Sequence, residues 1–363
     1  MFENYYAVIM AGGSGTRLWP LSTKDRPKQS LEIDGDRTLF QRSVDRLLDL
    51  FPYERILVVT VEEQLNLLRE DCPEIPEDNY LIEPMPRGTA SVVALAAIAL
   101  KHHDPEGTMA ILTADHMIKN EKHLQELLEA AYVMAQDDYL VTLGITPDYP
   151  ATGFGYIQQG DLLDEIQGLK IYQAKTFKEK PDKPKAEEFI AAGDHVWNSG
   201  MFIWKVETVL CEFKRQMPDL YEKAMKIEKH WEMPDKDETL TKVWPTIYKE
   251  TIDYGIMEHA RKVAVVPSID LGWYDVGSWE SLFTALASNE DGNIFLRGEA
   301  VSFDTHGTLI CEDAADRMIV TVGVDDLIII DTGKVVLVCD RKQAQRVREV
   351  VQFLSQSGRD EYL

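Results

Sequence analysis

Residues 5–29 read YYAVIMAGGSGTRLWPLSTKDRPKQ. The opening residues are apolar and include the β-branched pair Val8-Ile9, the pattern of a buried strand. Gly12, Gly13, Ser14 and Gly15 follow directly, and Arg17 and Lys28 then supply two positive charges. Glycine lets backbone N–H groups come close to a ligand, and successive N–H groups in such a turn form an anion-binding nest. Two well-known phosphate loops fail on spacing. GxxxxGK[ST] is not met, because Thr16 and Arg17 follow Gly15, and GxGxxG counted from Gly13 finds Leu18 where its last glycine belongs. What remains is a strand-end loop of another shape, with Arg17 and Lys28 neutralising a polyphosphate. The competing reading is a tight turn that carries solvated charges.

Composition sharpens the choice. The chain has 363 residues and a formal net charge of −24, which argues against a nucleic-acid partner, because phosphate backbones reward basic surfaces. An acidic protein that handles anions must concentrate its few cations in one place. Cys72, Cys211, Cys311 and Cys339 show no CxxC spacing, so the sequence offers neither a zinc site nor a disulfide framework. The N-terminus lacks the basic and apolar regions of a secretory signal. The longest apolar run, Ala90–Leu100, is far shorter than a membrane span. These features read as a cytoplasmic protein with no membrane association.

Outward from the loop, short β-branched runs alternate with helical patterns. YYAVIMA, RILVVT, MAILTA and YLVTLGI read as strands. Leu39–Leu50, Thr89–His103 and Lys122–Ala135 read as helices, the second apolar nearly all round and therefore buried. Alternation of this kind predicts an α/β fold, Rossmann-like, with a mixed and mainly parallel sheet and helices on both faces. Ligands in such sheets sit beyond the carboxyl ends of the strands, where the glycine loop and the triplet Ala114-Asp115-His116 both fall. Tyr149–Trp204 reads as short strands with glycine punctuation. Leu210–Glu258 reads as helices broken at Pro218, Pro234 and Pro245. The composition shift after Asn289 places a boundary near residue 285. It separates a catalytic domain, 1–285, from a small β-rich domain, 286–363, with a terminal helix from near Arg341 and strands that could stack as a short solenoid.

Taken whole, GGSGTRLWPLS…RPKQ resembles the signature of the sugar-phosphate nucleotidyltransferases. EPMPRGTA (Glu83–Ala90), TADH (Thr113–His116), FKEKP (Phe177–Pro181), WNSGMFIW (Trp197–Trp204) and WYDVGSW (Trp273–Trp279) are similar, in order, to the branch that acts on mannose 1-phosphate. The resemblance covers residues 5 to about 285. It implies a reaction between GTP and mannose 1-phosphate that yields GDP-mannose and pyrophosphate with Mg²⁺, in a homodimer. Longer relatives continue into an isomerase domain for which this chain has no room, so no isomerase activity is expected.

The resemblance also implies roles. The backbone of Gly12, Gly13, Ser14 and Gly15 would cradle the β- and γ-phosphates. Arg17 would neutralise the leaving pyrophosphate, Lys28 the triphosphate and Lys180 the sugar phosphate. Asp115 and Asp275 would hold the metal, and Asp115 would thereby meet the nucleotide. Glu179 and Asn198 would bind mannose hydroxyls, with Gly155 and Gly200 allowing close backbone approach. Ala11, Gly12, Glu83, Arg87 and Gly88 are candidates for reading guanine. Bland alternatives stand beside several of these: a surface lysine at 180, a helix cap at Asp115, a turn residue at Asn198 and a structural His116.

Overall fold

The computed structural model describes residues 2–13, 15–314 and 317–363. Its contacts divide the chain into two compact units. The first comprises Met1–Gly12, Val44–Thr113 and Ile118–Gly272, and the second Gly13–Ser43, Ala114–Met117 and Trp273–Leu363. The chain therefore passes from one unit to the other at the glycine loop itself, between Gly12 and Gly13.

The first unit opens with β1 (Tyr5–Met10), β2 (Ile56–Val61), β3 (Tyr80–Glu83) and β4 (Thr108–Thr113). β1 pairs in parallel with β2 and with β4, and β2 in parallel with β3. After β5 (His116–Ile118) come β6 (Leu140–Ile145), β7 (Tyr156–Ile166), β8 (Leu169–Lys178), β9 (His195–Lys205) and β10 (Val263–Ser268). Among the described residues, nine strands form one sheet in the order β3-β2-β1-β4-β9-β6-β10-β8-β7. β9 is antiparallel to both β4 and β6, and β8 to both β10 and β7, while β10 is parallel to β6. All other strands therefore run one way, which is the mixed, mainly parallel sheet that the alternation predicts.

Alternate residues of β1 point to opposite faces, and both faces are covered. Tyr6 and Val8 join the core of the helix Thr89–His103, whose residues Ala90–Leu100 are all buried. Tyr5, on the other face, donates its hydroxyl to the Leu128 carbonyl at 3.0 Å, on the helix Glu121–Ala135. The sequence expectation of short strands over Tyr149–Trp204 is corrected. β7, β8 and β9 are 11, 10 and 11 residues long. β7 and β8 form a long hairpin whose turn residues, Gln167 and Gly168, both have positive φ, as twisted two-residue hairpins require. The exposed, largely polar outer part of that hairpin hides the strand signal. The helix at Leu39 is also shorter than expected and ends at Asp45.

The second unit pairs β11 (Trp273–Asp275) with β5. Its tail holds β12 (Ile294–Arg297), β13 (Glu299–Phe303), β14 (Leu309–Glu312), β15 (Met318–Val322), β16 (Leu327–Asp331) and β17 (Val336–Asp340). β12, β14 and β16 stack in parallel, β13 pairs in parallel with β15, and β17 closes the edge antiparallel to β16. Parallel strands recurring at short intervals give the coiled, solenoid-like arrangement. Leu18, Trp19, Leu31, Val276, Trp279, Leu309, Ile328 and Leu354 share the core. Trp279 Nε1 donates to the Trp19 carbonyl at 3.0 Å, and Trp19 Nε1 to that of Tyr362 at 2.6 Å. Among the described residues no helix is long and apolar enough to cross a membrane.

Candidate active site

In the second unit, Gly15 has φ +62° and starts the 3₁₀ turn Thr16–Leu18. A Cβ there would lie 2.4 Å from Lys28 Cβ and 2.7 Å from Ser22 Oγ. Glycine is therefore required twice over, by backbone conformation and by the side chain laid across it. Lys28 is buried, and its Nζ lies 2.7 Å from Asp115 Oδ2 and 3.5 Å from Asp275 Oδ1. Asp115 follows the end of β4, and Asp275 ends β11. Two carboxylates far apart in sequence thus meet at one ammonium. Arg17 belongs to the same neighbourhood: a Cβ built on Gly277 would meet Arg17 Nη2 at 3.3 Å and Asp275 Oδ2 at 3.2 Å. Among the described residues nothing lies within 4 Å of a Cβ built on Gly13. Ser14 lies outside the described residues. His116 is turned to the core, where its Nδ1 accepts from Trp273 Nε1 at 3.1 Å.

The first unit carries two clusters of buried polar groups. At the end of β3, Glu83 is buried, and a Cβ on Gly12 would lie 3.1 Å from its Oε1. Oε2 is buried without a hydrogen-bond partner. Burial pushes the Glu83 carboxyl up to about 7, against the lowering effect of a hydrogen bond from the Arg87 backbone. A buried acceptor left open is costly, which marks a place built for a donor.

Ala11, Arg87 and Gly88, the other residues named for guanine, make the following contacts within the fold. The Ala11 amide donates to the Val59 carbonyl at 2.8 Å, and its carbonyl accepts from Thr60 Oγ1 at 3.0 Å, so the sheet engages both groups. Arg87 Nη2 donates to the Pro245 carbonyl at 2.5 Å. Gly88 has φ +87°, and a Cβ there would lie 2.1 Å from the Glu250 carbonyl oxygen. The Arg87-Gly88 turn is thus fastened to the 245–250 segment, where it starts the buried helix.

The second cluster forms where β7 begins, β8 ends and β9 bulges. A Cβ on Gly155 would lie 2.3 Å from Glu179 Oε2 and 3.4 Å from Asn198 Cβ. Glu179 Oε2 is buried without a hydrogen-bond partner. Between Thr142/Phe202 and Gly144/Asn198 the register shifts, β9 taking four steps to β6's two. Gly200 absorbs this bulge at φ +72°, so it shapes the strand that presents Asn198. Lys180 Nζ lies 3.3 Å from Glu179 Oε1, with the side chain largely exposed. Its backbone has φ +46°, an uncommon conformation for a non-glycine residue and one that costs of order 1–3 kcal/mol.

The sequence reading missed Asp253, whose Oδ1 accepts from Asn198 Nδ2 at 2.7 Å. Burial, and next the Glu179 charge, push its carboxyl up to about 6, while Asn198 and Lys180 pull it down. It sits on a single turn, Ile252–Gly255, that Thr251 caps. No local spacing in the sequence announces that role.

Comparison with known proteins places this geometry in context. A family described as nucleotidyl transferase matches residues 6–292, and one described as a MannoseP isomerase/GMP-like beta-helix domain matches residues 298–354. A mannose-1-phosphate guanylyltransferase of Escherichia coli K12 is 36% identical, over 98% of this chain and 75% of its own length. The ManC enzyme of Salmonella typhimurium, of the same description, is 37% identical over 98% of this chain and 74% of its own. A crystal structure from Thermus thermophilus, described as a mannose-1-phosphate geranyltransferase, superposes with a TM-score of 0.86. It shares 34% identity and covers 97% of this chain and 99% of its own. A Helicobacter pylori structure described as a mannose-6-phosphate isomerase superposes at 0.60, with 26% identity, over 75% of this chain and 100% of its own.

Proposed function

Because the chain belongs to the mannose-1-phosphate guanylyltransferase family, and is thus a nucleotidyltransferase, we propose that it transfers GMP from GTP to α-D-mannose 1-phosphate. The products are GDP-mannose and pyrophosphate. The observation that carries this reading is the convergence of Lys28 with Asp115 and Asp275, in the unit that also holds Gly13 with its open surroundings.

A sugar phosphate is largely dianionic at neutral pH, with a second pKa of about 6. It attacks the α-phosphorus in line without needing a side-chain nucleophile, and pyrophosphate leaves from the opposite side. The difficulty is bringing anions together, a positioning and electrostatic task. Unit charges 4 Å apart interact by about 4 kcal/mol at an effective dielectric near 20, more than the roughly 1 kcal/mol of a neutral hydrogen bond. Fixed cations therefore dominate. In this reading Arg17 neutralises the leaving pyrophosphate, Lys28 the triphosphate and Lys180 the sugar phosphate, while the Gly12–Gly15 backbone cradles the β- and γ-phosphates. Glu83 accepts from guanine N1–H and the exocyclic amine. Glu179 and Asn198 hold ring hydroxyls.

Asp115 and Asp275 are the residues that would hold Mg²⁺. Two hard carboxylate oxygens, without sulfur or imidazole, suit an ion that takes one or two carboxylates plus substrate phosphates. When bound it would supply positive charge and a template for the phosphates. Isomerase activity is not part of this reading. The exposed apolar residues on one face of β15, Met318, Val320 and Val322, with Val336 and Val338 on β17, support a homodimer, since such patches mark interfaces. The assay is pyrophosphate release with GTP, mannose 1-phosphate and Mg²⁺, each omitted in turn. Faster turnover with another nucleotide or hexose phosphate would reject the substrate assignment, and isomerisation of mannose 6-phosphate at a comparable rate would reject the exclusion.

A further inference from the structure

We propose that Asp253 is the positioning residue that fixes the Asn198 carboxamide, so that the cluster offers a ring hydroxyl one amide donor beside carboxylate acceptors. The proposal rests on the reading of this cluster as the sugar subsite. It adds to that reading a residue with no assigned role and a definite donor–acceptor pattern.

The pattern follows from counting. A carboxamide has one oxygen with two acceptor sites and one nitrogen with two donors. Asn198 Oδ1 accepts from the Gly200 backbone N–H at 3.2 Å, and the Thr142 hydroxyl, shared with the Met201 carbonyl, lies 3.3 Å away. Asn198 Nδ2 donates to Asp253 Oδ1 at 2.7 Å. The oxygen thus faces its own strand bulge, and one N–H remains. The flipped amide would set oxygen against the Asp253 carboxylate and NH₂ against the Gly200 N–H. Both contacts are repulsive, so Asp253 and Gly200 together select one orientation.

The acceptors belong to the same cluster as that remaining N–H. Glu179 Oε2 is buried and open, and a Cβ on Gly155 would meet both it and Asn198 Cβ. A hydroxyl between Glu179 and Asn198 can donate to the first and accept from the second. The Glu179 charge and the Lys180 ammonium also act on Asp253, so its carboxylate belongs to the same polar cluster. Remove Asp253 and the Asn198 amide loses its strongest, charge-assisted bond, the kind that exceeds a neutral one in stabilisation. The amide can then turn away from the sugar.

Three variants of the full chain decide it: Asp253→Ala, Asp253→Asn, and the swapped pair Asn198→Asp with Asp253→Asn. Each is assayed with the nucleotide and hexose 1-phosphate that the wild type uses best. Loss of the charge-assisted bond in Asp253→Ala is expected to raise KM for the sugar phosphate about tenfold or more, with KM for the nucleotide within about twofold. Asp253→Asn keeps an acceptor oxygen for Asn198 and should stay within about threefold of wild type. The swapped pair restores a bond between the two positions, with the donor now at 253, and should melt like wild type. Its sugar KM should nevertheless remain about tenfold high, because position 198 then lacks the donor. A merely structural role for Asp253 would be rescued by the swap.

A sugar KM within about twofold of wild type in Asp253→Ala, or its recovery in the swapped pair, would overturn the proposal. If Asp253→Ala does not fold, the other two variants decide. A wild-type preference for some other hexose phosphate or nucleotide would instead count against the proposed substrate pair, and leaves these comparisons intact.

Discussion

Gly15 and Lys28 are in contact across the loop: a methyl group on Gly15 would sit 2.4 Å from Lys28 Cβ. The glycine thus holds a lysine in place as well as freeing a backbone, which ties the two halves of the opening motif together. Gly15→Ala is expected to strain both the backbone, at φ +62°, and the Lys28 side chain. It should lower the melting temperature and turnover together. Gly13→Ala, with open space around its Cβ, should melt as wild type does and raise only the nucleotide KM. Thermal melts with steady-state kinetics separate the two, and equal stability losses would refute the contrast.

The Lys28 ammonium lies between Asp115 and Asp275, 2.7 Å from the first and 3.5 Å from the second. Lys28→Ala and Asp275→Asn are each expected to lower turnover by at least about tenfold while the fold survives, the first by deleting the positive charge proposed to face the phosphates and the second by deleting a proposed Mg²⁺ ligand. The carboxylates are each about one-third exposed, so water can solvate whichever group loses its partner. Near-wild-type kcat in either variant would remove these residues from the chemistry.

Gly155 tests the proposed sugar end. Its missing side chain leaves room for the free end of Glu179, 2.3 Å from where a Cβ would stand. Gly155→Ala should displace that carboxylate rather than the backbone, so the melting temperature should hold. The sugar phosphate KM should rise about tenfold, the usual scale for losing a hydrogen bond to a charged group. An unchanged KM would show that Glu179 does not serve the sugar.

Glu83, proposed to read guanine, also bears on stability. Its carboxyl is held near 7 in the fold against an ordinary 4.5, chiefly by burial. A raised folded pKa means that the native state binds the proton more tightly, so stability is greatest below about 4.5 and is lost as pH rises to about 7. The loss is on the order of 3 kcal/mol. Glu83→Gln removes this titration. The variant should therefore gain on wild type in chemical denaturation as pH goes from 4.5 to 7, then hold its advantage. The same variant should bind GTP more weakly, since the amide sets an NH₂ donor where the carboxylate offers its second oxygen to guanine. A pH-independent stability difference would show that the carboxyl does not titrate in this window.

Parts of this were legible from residue order alone. Gly12, Gly13 and Asp115 follow strand ends that can be read from apolar runs, and Arg17 and Lys28 come next in sequence after the same glycine loop. Asp275 and Glu179 needed the longer motifs, because their partners lie far away in sequence. Asp253 was not legible, because its importance comes from a bond to Asn198, 55 residues distant, that only the folded sheet creates. The packing of the Arg87-Gly88 turn was hidden for the same reason, since the Glu250 backbone that its glycine admits lies far away in sequence. The length of β7 and β8 escaped notice because an exposed hairpin has little apolar alternation to show.

Lys180 offers the last test, since its backbone and its charge make opposite demands. At φ +46° its main chain adopts a conformation that glycine enters at little cost, and it is followed by Pro181, which normally presses the preceding residue toward extended angles. The strain is of order 1–3 kcal/mol, and the largely exposed ammonium repays little of it through Glu179. Lys180→Gly is therefore expected to match or exceed wild type in melting temperature. Without its ammonium the sugar phosphate loses a counter-charge, so turnover should fall at least about tenfold and the sugar phosphate KM should rise. A variant that is both less stable and fully active would show that the lysine is kept for its local packing, and that the sugar phosphate finds its positive charge elsewhere.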